Sequence, residues 1–322
     1  MRSLPSLLLT CANRINADHA FLKFSRMVAR SEQTTKRPHM ITSTDMTTRH
    51  SASDYALGYT NAEHDRLIWQ AERIAPITER LFREAGIGPG QRVLDLGSGV
   101  GDVGLLVARI AGPSGEVVGI ERDARSIARA RARVAEAGLH NVSFTQADVS
   151  QIVGDTPFDA AVGRFILMFL SDPVSVLRSL TKLVRPGGVL AFQEPSWVSF
   201  LALGARLPLW SKVLSSIHET FLRSGVNTEM GPALYGIFQE IGLPAPTMHM
   251  ETPLGSDADF TRLIHGLLSS VRPLSQQHNV SLEMLGDFET LPERIQTEVA
   301  ALNTVVSFVP MVGAWSRKPI DG

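Results

Sequence analysis

A loop of alternating glycines at residues 95–101 carries the strongest chemical signal in the sequence. Glycine is required where a backbone turns sharply and a ligand must approach without a Cβ in the way. A dinucleotide loop follows the pattern G-x-G-x-x-G, so after Gly97 and Gly99 its third glycine would stand at position 102. Asp102 stands there instead, and the third glycine comes one residue early, at Gly101.

An acid at the start of the following helix also disfavours a pyrophosphate, because a helix N-terminus attracts an anion only while it stays electropositive. An acid followed by three alternating glycines suits a cofactor that has no phosphate and carries a cationic end. Asp95 can pair with an ammonium group of such a cofactor, directly or through water. A purely structural turn is the alternative. Five residues of the loop are predicted cofactor contacts: Asp95, Gly97, Ser98, Gly99 and Gly101.

Glu121 is the second residue whose position indicates a ligand contact. It ends the apolar run 117–121, 20 residues beyond Gly101, where an acidic side chain can accept hydrogen bonds from both hydroxyls of a ribose. The alternative is a carboxylate that caps the next helix, but Asp123 fits that role better. We therefore assign Glu121 to the sugar, with its neighbour Arg122 as a further cofactor contact.

Asp148 ends a third segment of this kind, at 141–149. Its carboxylate can accept a hydrogen bond from an exocyclic adenine amine, and the amide of Val149 can donate to a ring nitrogen. A loop aspartate by itself is usually a turn former. Because it comes third in order behind the two other motifs, Asp148 is predicted, together with Val149, to contact the base.

The predicted elements place these motifs at the ends of successive strands. Helical spacing covers 61–85, where Pro76 is expected to kink or split the helix. Short apolar strands then alternate with helices, which predicts βαβ units and a doubly wound α/β fold with a parallel sheet. The strands are predicted at 92–96, 116–120, 142–146, 158–162 and 189–193, and the helices between them at 102–110, 125–137 and 173–183.

This alternation breaks after Glu194. The first part is therefore interpreted as a nucleotide-binding half, and the second as a half that closes the sheet and carries helical insertions. Helices are predicted there at 209–223, 232–241, 257–271 and 281–301, and strands at 247–251 and 304–310.

Composition narrows the function classes. The 322 residues hold 31 Lys plus Arg against 32 Asp plus Glu, so no overall field favours nucleic acid or an anionic membrane. The single cysteine, Cys11, excludes an internal disulfide framework and a cysteine-based zinc site, and it fits a reducing compartment. No apolar run approaches the roughly 20 residues that span a bilayer. We expect a cytoplasmic protein with no metal, no nucleic-acid partner and no membrane span.

Residues 1–45 differ from the rest of the chain. The first 40 residues hold seven basic side chains against two acids, Asp18 and Glu32. Three interpretations stay open: a mis-assigned start with Met40 or Met46 as the true beginning, a disordered tail, or a targeting segment. No catalytic residue is expected there.

Five segments in order resemble the motifs of class I S-adenosylmethionine methyltransferases, and the resemblance is greatest to the small-molecule branch that includes ubiquinone/menaquinone-type enzymes. It covers roughly residues 55–318. It implies S-adenosylmethionine as the cofactor, a small-molecule acceptor and a seven-stranded, mostly parallel sheet in the order 3-2-1-4-5-7-6. Strand 7 would be antiparallel and lie at 304–310. The segments are 93–101, 119–121, 147–148, 158–162 and 185–188.

The resemblance also implies further contacts and a division of the chain. Residues 55–60 are similar to a lid segment that covers the methionine moiety, so Tyr59 and Gln70 are expected to contact the cofactor. Arg164, just past the fourth strand, is expected to be a contact or a gate. The expected regions are a leader at 1–45, lid helices at 46–90, the cofactor-binding core at 91–195, and substrate-side insertions with strands 6 and 7 at 196–322.

Methyl transfer is an in-line displacement at an activated carbon, so an enzyme contributes mainly by positioning and desolvation. A base is needed only if the nucleophile must lose a proton. The catalytic candidates are Glu194, directly after the fifth strand, and His218; His249 and His265 are further histidines of the second half. Neither the need for a base nor the oligomeric state follows from the sequence.

The acceptor is predicted to be a small, hydrophobic or aromatic metabolite methylated at O, N or C. No Asn/Asp-Pro-Pro-aromatic sequence follows the fourth strand, where Gly163-Arg164-Phe165 stands instead, which argues against amino methylation of nucleic-acid bases. The basic run 122–133 is interpreted as a solvated helix face. Apolar residues at 201–221 indicate a hydrophobic acceptor, or else a plain packing face. Two other functions stay open: a nicotinamide-dependent oxidoreductase, and a non-catalytic cofactor-binding partner subunit.

Overall fold

The computed structural model of the protein describes residues 56–151 and 157–320. These residues belong to one compact unit, Ala52–Gly322. The predicted leader at 1–45 and the first residue of the lid segment, at 55, lie outside the described residues.

The described part of the chain holds nine strands, of which seven form one sheet and two, β7 and β8, form a separate ladder. The strands of the structure are β1 (Arg92–Leu96), β2 (Glu116–Glu121), β3 (Val142–Gln146), β4 (Phe158–Arg164), β5 (Val184–Pro195), β6 (Thr247–Glu251), β7 (Leu254–Gly255), β8 (Val306–Ser307) and β9 (Met311–Arg317). The sheet order is β3-β2-β1-β4-β5-β9-β6. Strands β1 to β5 are parallel, and β9 runs antiparallel to both β5 and β6. With β9 in the place of strand 7, this confirms the predicted order and the α/β class.

Helices cover the sheet and extend over its carboxyl edge. Their bounds are α1 (Asn61–Glu84), α2 (Asp102–Ala111), α3 (Ala124–Glu136), α4 (Pro173–Leu183), α5 (Trp197–Gly204), α6 (Pro208–Arg223), α7 (Met230–Glu240), α8 (Ala258–Gln277) and α9 (Leu291–Ala301). Asp123 caps α3 as predicted, since it accepts from the Ser126 amide at 2.7 Å. Asp172 caps α4 in the same way and accepts from the Ser175 amide at 2.9 Å. The helix predicted at 61–85 is not split, because α1 continues through Pro76.

The prediction of the last sheet strand at 304–310 is wrong. Only Val306–Ser307 pairs there, in a two-stranded ladder with Leu254–Gly255. The seventh strand of the main sheet lies further on, in β9. Its glycine and alanine have low β propensity, but a Cβ at Gly313 would lie 2.6 Å from Leu81 of α1. Close packing of α1 against this segment therefore favours it as the seventh sheet strand, although its local β propensity is low.

Other boundaries also differ from the prediction, among them the starts of β5 and α9. Strand β5 begins at Val184 instead of residue 189, because Phe158 pairs with Val184 and Ala160 with Val189, so the intervening Arg-Pro-Gly-Gly sequence forms a bulge within the strand. The helix predicted at 281–301 begins only at Leu291. Gly286, at φ +69°, ends a short 3₁₀ turn before it.

The apolar run predicted in the second half forms core. Side chains of α6 such as Trp210, Leu214 and Ile217 are buried against helices and strands of the same cluster. The packing-face interpretation therefore accounts for most of this run. Across residues 56–151 and 157–320, we find no helix whose length and apolar character would let it cross a membrane.

Candidate functional site

The three predicted motifs meet at the carboxyl edge of the sheet, where ligands bind in open α/β folds. Asp95 lies one residue before the end of β1 and pairs in register with Gly119 of β2 and Val162 of β4. Glu121 ends β2, and Arg164 ends β4. Because these neighbouring strands are parallel, the three charged side chains leave the sheet at the same edge.

The three glycines of the loop adopt left-handed backbone conformations, at φ +65°, +50° and +87° for Gly97, Gly99 and Gly101. Their surroundings differ. A Cβ at Gly97 would lie 2.5 Å from Ile166, and one at Gly101 would lie about 3.0 Å from Ala130. A Cβ at Gly99 would meet nothing within 4 Å. Two of the glycines therefore serve packing, and the middle one borders open space.

Asp95 is the most unusual carboxylate of this edge. It is only 1% exposed, yet neither of its oxygens makes a hydrogen bond within the described residues. The Gly104 amide faces the carboxylate without meeting hydrogen-bond geometry. Burial raises the pKa of Asp95 to about 8, although the positive charge of Arg164 opposes this rise. A buried acid without a hydrogen-bond partner requires an explanation, and a ligand that donates hydrogen bonds to it supplies one.

The hydroxyl of Ser98 shares this property, since it is buried and has no hydrogen-bond partner in the described part of the chain. Its backbone is fixed, because the Ser98 amide donates to the carbonyl of Ile120 at 2.9 Å. The loop therefore holds a second unpaired polar group, three residues after Asp95.

Backbone amides hold Glu121 in place. Its Oε2 accepts from the Gly99 amide at 2.9 Å, and its Oε1 accepts from the amides of Arg122 at 2.8 Å and Asp123 at 2.9 Å. The side chain is 8% exposed. Glu121 thus links the end of β2 to the glycine loop, a role that its position in the sequence did not indicate.

The charge of Asp102 is compensated. Its Oδ1 lies 2.7 Å from Nη1 of Arg133, which also donates to the Val100 carbonyl at 2.6 Å. The argument that Asp102 repels a pyrophosphate is therefore weaker than the sequence indicated, and the glycine spacing remains the stronger argument against a dinucleotide.

The basic run on α3 is not only a solvated helix face, because Arg131 donates a hydrogen bond to the Phe144 carbonyl at 2.9 Å.

Tyr59, in the segment before α1, lies beside the end of β2. Its hydroxyl accepts from Nε of Arg122 at 2.8 Å, and burial raises its pKa. Close by, Nε2 of His64 lies 3.1 Å from the hydroxyl of Ser126 at the start of α3. The start of α1 is thereby attached to the Glu121 side of the edge.

Arg164 belongs to a polar chain that the sequence did not indicate. Its Nη1 donates to the hydroxyl of Thr78 at 3.0 Å, and this hydroxyl donates to Oε1 of Gln193 at 2.7 Å. Burial lowers the pKa of Arg164, while the charges of Asp102 and Asp95 raise it. Thr78 thus fixes a guanidinium that lies within electrostatic reach of the Asp95 carboxylate.

Gln70 is not brought to this edge. It lies two turns before Thr78 on α1, and its Oε1 accepts from Nη1 of Arg66 at 2.8 Å. Arg66 is itself paired with Glu63 at 2.6 Å, and both charges are buried. Gln70 faces a separate pocket, which also borders Phe200 of α5.

Asp148 and Val149 lie at the more open end of the edge, after β3. Oδ1 of the exposed Asp148 accepts from the amide of Ser150 at 2.8 Å and from its hydroxyl at 2.5 Å, and these bonds lower its pKa. Asp148 thus forms the turn that an isolated loop aspartate favours. Its Oδ2 is left for another donor.

Glu194 is fully buried and accepts only from backbone. Its Oε1 accepts from the amides of Ile166 at 3.0 Å and Leu167 at 2.8 Å, and its Oε2 from Met168 at 3.3 Å. Burial raises its pKa to about 7. It therefore holds the turn after β4, where Phe165 adopts the strained φ of +53°. This environment favours a positioning role over that of a base.

Two of the histidines of the second half, His218 and His249, have structural surroundings, whereas the buried Nε2 of His265 has no hydrogen-bond partner among the described residues. Nε2 of His218 lies 3.0 Å from the Thr228 hydroxyl, and its ring stacks on Trp197 at 5.8 Å. Burial lowers the pKa of His218. His249 pairs with Glu84 at 3.2 Å, away from the charged edge on the outermost strand of the sheet.

Comparisons with known proteins agree with this geometry. A family model described as a methyltransferase domain matches residues 87–230. The ubiquinone/menaquinone biosynthesis C-methyltransferase UbiE of Pseudomonas paraeruginosa is 31% identical over 182 residues, which cover 52% of this chain and 71% of that protein. The same enzyme of Pseudomonas aeruginosa is 30% identical over 182 residues, with the same coverage. The YcgJ protein of Bacillus subtilis shares the fold, with a TM-score of 0.50 at 14% identity over 77% of this chain and 99% of that one.

These matches support neither the oxidoreductase nor the non-catalytic partner as an alternative. The glycine spacing, the strand-end acids and the sheet order agree with the family match. The protein belongs to the class I S-adenosylmethionine-dependent methyltransferases of the small-molecule type, and S-adenosylmethionine is its cofactor.

Proposed function

We propose that Asp95 and Arg164 hold the two charged ends of the methionine moiety of S-adenosylmethionine. The observation that carries this assignment is the buried Asp95 carboxylate, which lacks a hydrogen-bond partner within the described residues. An α-ammonium group supplies the missing cation, and an α-carboxylate suits the Arg164 guanidinium, which Thr78 fixes from the other side. Bound S-adenosylmethionine supplies a methyl group already activated by its sulfonium.

The glycine loop fits the rest of this ligand. Gly99 leaves open space where a Cβ would stand, and the Ser98 hydroxyl lacks a partner among the described residues. Gly97 and Gly101 keep the loop close to its neighbours. We assign these four residues to the cofactor pocket.

Glu121 is assigned to the ribose, with a limit on how many hydroxyls it can hold. A carboxylate has about four acceptor positions, and three backbone amides already use Glu121. One position remains, on Oε2, so a single ribose hydroxyl binds without disturbing the loop. Arg122 and Tyr59, which contact each other beside Glu121, are assigned to the wall of this subsite.

Asp148 and Val149 are assigned to the adenine. The free Oδ2 of Asp148 can accept from the exocyclic amine while Oδ1 keeps its bonds to Ser150. The amide of Val149 begins a short 3₁₀ turn, where backbone N–H groups have no partner within the helix. The adenine subsite is thus the most exposed part of the cofactor site.

The acceptor is proposed to be a small hydrophobic or aromatic metabolite, methylated at O, N or C. This rests on the apolar, aromatic surroundings of the second half and on the family match. Residues 46–90 are assigned to the lid, 91–195 to the cofactor-binding core, and 196–322 to the acceptor side. The single cysteine supports a cytoplasmic location.

Calorimetric titration with S-adenosylhomocysteine tests the cofactor assignment. The wild type is expected to bind it with micromolar-range affinity and to show no comparable affinity for NAD or NADP. Asp95→Asn keeps the shape but removes the charge, so affinity should fall at least about tenfold. Asp172→Asn, the same change at the exposed N-cap of α4, is the matched control. Wild-type affinity in a folded Asp95→Asn variant would contradict the assignment.

A further inference from the structure

The hydroxyl of Thr78 joins helix α1 to two strands of the sheet at the cofactor edge. Arg164 of β4 and Gln193 of β5 are neighbours in register, and residues paired in this way direct their side chains to the same face of a sheet. Helix α1 packs against β5. Oγ1 of Thr78 lies 3.0 Å from Nη1 of Arg164 and 2.7 Å from Oε1 of Gln193. Three elements that are distant in sequence therefore meet at one hydroxyl.

Hydrogen-bond chemistry fixes the direction of this chain. An arginine can only donate hydrogen bonds, so the Thr78 hydroxyl accepts from Arg164. Its single hydrogen is then left for Oε1 of Gln193 at 2.7 Å, which is closer than the carbonyl of Ile74 at 3.2 Å. Thr78 is 0% exposed, so bulk water does not replace these partners. A side chain of the same shape without the hydroxyl would leave Arg164 and Gln193 without their shared contact.

The guanidinium of Arg164 keeps unused donors beside this bond. It carries five N–H donors, and within the described residues only Nη1 forms a hydrogen bond. The side chain is partly exposed, so its other nitrogens can reach a bound ligand. One end of the guanidinium is thus held by α1, and the other end remains available for a carboxylate, which binds to two parallel N–H groups.

The nearby Asp95 explains why the guanidinium needs a fixed position. The charges of Arg164 and Asp95 each affect the pKa of the other group, yet both oxygens of Asp95 are without a hydrogen-bond partner in the described part of the chain. An unrestrained guanidinium would pair with that buried carboxylate, because opposite charges attract strongly away from water. Arg164 is bonded to Thr78 instead. Asp95 and Arg164 therefore stay available for separate groups of a ligand.

We propose that Thr78 is a positioning residue, which holds Arg164 apart from Asp95 and orients it toward the α-carboxylate of S-adenosylmethionine, and that Gln193 holds Thr78 in turn. This inference rests on the proposed function and adds the residues that preorganise its methionine end. A fixed guanidinium does not have to be ordered when the ligand binds, so the contact of Thr78 contributes to affinity without touching the cofactor.

A pair of ligands distinguishes positioning from a general structural role. Methylthioadenosine has the adenine, ribose and thioether of S-adenosylhomocysteine but lacks the charged amino-acid end. Both ligands are titrated by calorimetry into the full-length protein. Thr78→Val removes only the hydroxyl, so it should weaken S-adenosylhomocysteine about three- to tenfold and leave the affinity for methylthioadenosine unchanged. Thr78→Ser, which keeps the hydroxyl, should restore most of the loss, and Gln193→Leu should reproduce part of it.

Thr220→Val is the matched control. Thr220 is also 0% exposed within a helix, but its hydroxyl donates to the backbone carbonyl of Ser216, so this variant should leave the ratio of the two affinities unchanged. A double-mutant cycle with Arg164→Met then tests whether Thr78 acts through Arg164. Once Arg164 is replaced, Thr78→Val should cause no further loss of affinity for S-adenosylhomocysteine.

The results that contradict the proposal can be told apart. Equal losses for both ligands in Thr78→Val, or the same loss in the Arg164→Met background, would show that Thr78 has only a structural role. Unchanged affinities in Thr78→Val, with a selective loss of S-adenosylhomocysteine in Arg164→Met, would overturn the positioning role alone. No selective loss in Arg164→Met would overturn the proposed contact with the carboxylate instead. If Thr78→Val does not fold, Gln193→Leu provides the same comparison, and equal losses for both ligands there would overturn the proposal.

Discussion

Oε2 of Glu121 accepts a hydrogen bond from the backbone amide of Gly99 at 2.9 Å. The acid at the end of β2 is therefore part of the glycine loop as well as a proposed ligand of the ribose. Removing it disturbs both at once, and this changes what a mutation of Glu121 should do.

Glu121→Ala is expected to lower the affinity for S-adenosylhomocysteine about tenfold to a few hundredfold. The free energy of unfolding of the apo protein should also fall by about 1–3 kcal/mol, because three amides lose a shared acceptor. Glu121→Gln should lose less affinity, since it keeps one acceptor oxygen. Calorimetry and thermal unfolding measure the two effects, and wild-type affinity in a folded Glu121→Ala variant would place the ribose elsewhere.

Binding of the cofactor product is expected to depend on pH through Asp95. Burial raises the pKa of Asp95 from 3.8 to about 8, and only the ionised form attracts an ammonium group. Affinity for S-adenosylhomocysteine should therefore rise between about pH 6 and about pH 8 and then level off. Calorimetry across this range checks the slope, which should be absent in Asp95→Asn. An equal slope in that variant would show that another group titrates.

The stability of the apo protein should have the opposite pH dependence. A folded-state pKa above the unfolded value stabilises the protein at low pH, and this contribution is lost as the pH rises through the folded value. For Asp95 the free energy of unfolding should fall between about pH 4 and about pH 8. Glu194, whose burial raises its pKa to about 7, gives a slope of the same sign. Urea unfolding of the wild type and of Asp95→Asn across this pH range separates the two contributions. An identical pH dependence of the free energy of unfolding in both proteins would contradict the contribution of Asp95.

Alanine substitutions in the glycine loop should separate packing from binding. Gly101→Ala places a Cβ about 3.0 Å from Ala130 and Leu105 at φ +87°, so it should lower the thermal midpoint clearly. The Cβ of Gly99→Ala meets no atom within 4 Å. This substitution should therefore lower the free energy of unfolding only through left-handed backbone strain, by about 1–2 kcal/mol. It should nevertheless weaken S-adenosylhomocysteine binding at least about tenfold. Unchanged affinity in Gly99→Ala would show that the open space does not belong to the cofactor.

Glu194→Gln tests positioning against base catalysis. Its carboxylate accepts from three amides of the turn at 166–168, and Ile166 of that turn packs against Gly97. A positioning role predicts a lower thermal midpoint and a weaker affinity for S-adenosylhomocysteine, each partly kept in Gln and lost further in Ala. A base would instead lower kcat in the Gln variant with stability and affinity unchanged, and that result would contradict the positioning role.

The sequence alone determined the cofactor class, and its resemblance to class I S-adenosylmethionine methyltransferases implied the order of the sheet. The glycine spacing, the acids at the ends of two strands and the strand–helix alternation are local patterns, because the loop conformation and the helix caps depend on neighbouring residues. Predictions failed where a local preference was overridden. The seventh strand was placed on a β-branched run at 304–310, although the sheet selected Met311–Arg317, where Gly313 lets Leu81 approach.

Only the tertiary structure decided which polar groups meet across the site. Thr78 contacts Arg164 across 86 residues of sequence and Gln193 across 115. Glu194 faces the turn after β4, and Gln70 faces the pocket that contains Ser307. Such partnerships have no local signature, because they depend on sheet order and helix packing rather than on neighbouring residues. The sequence therefore identified the cofactor chemistry, whereas the contacts that fix the side chains of the cofactor edge required the fold.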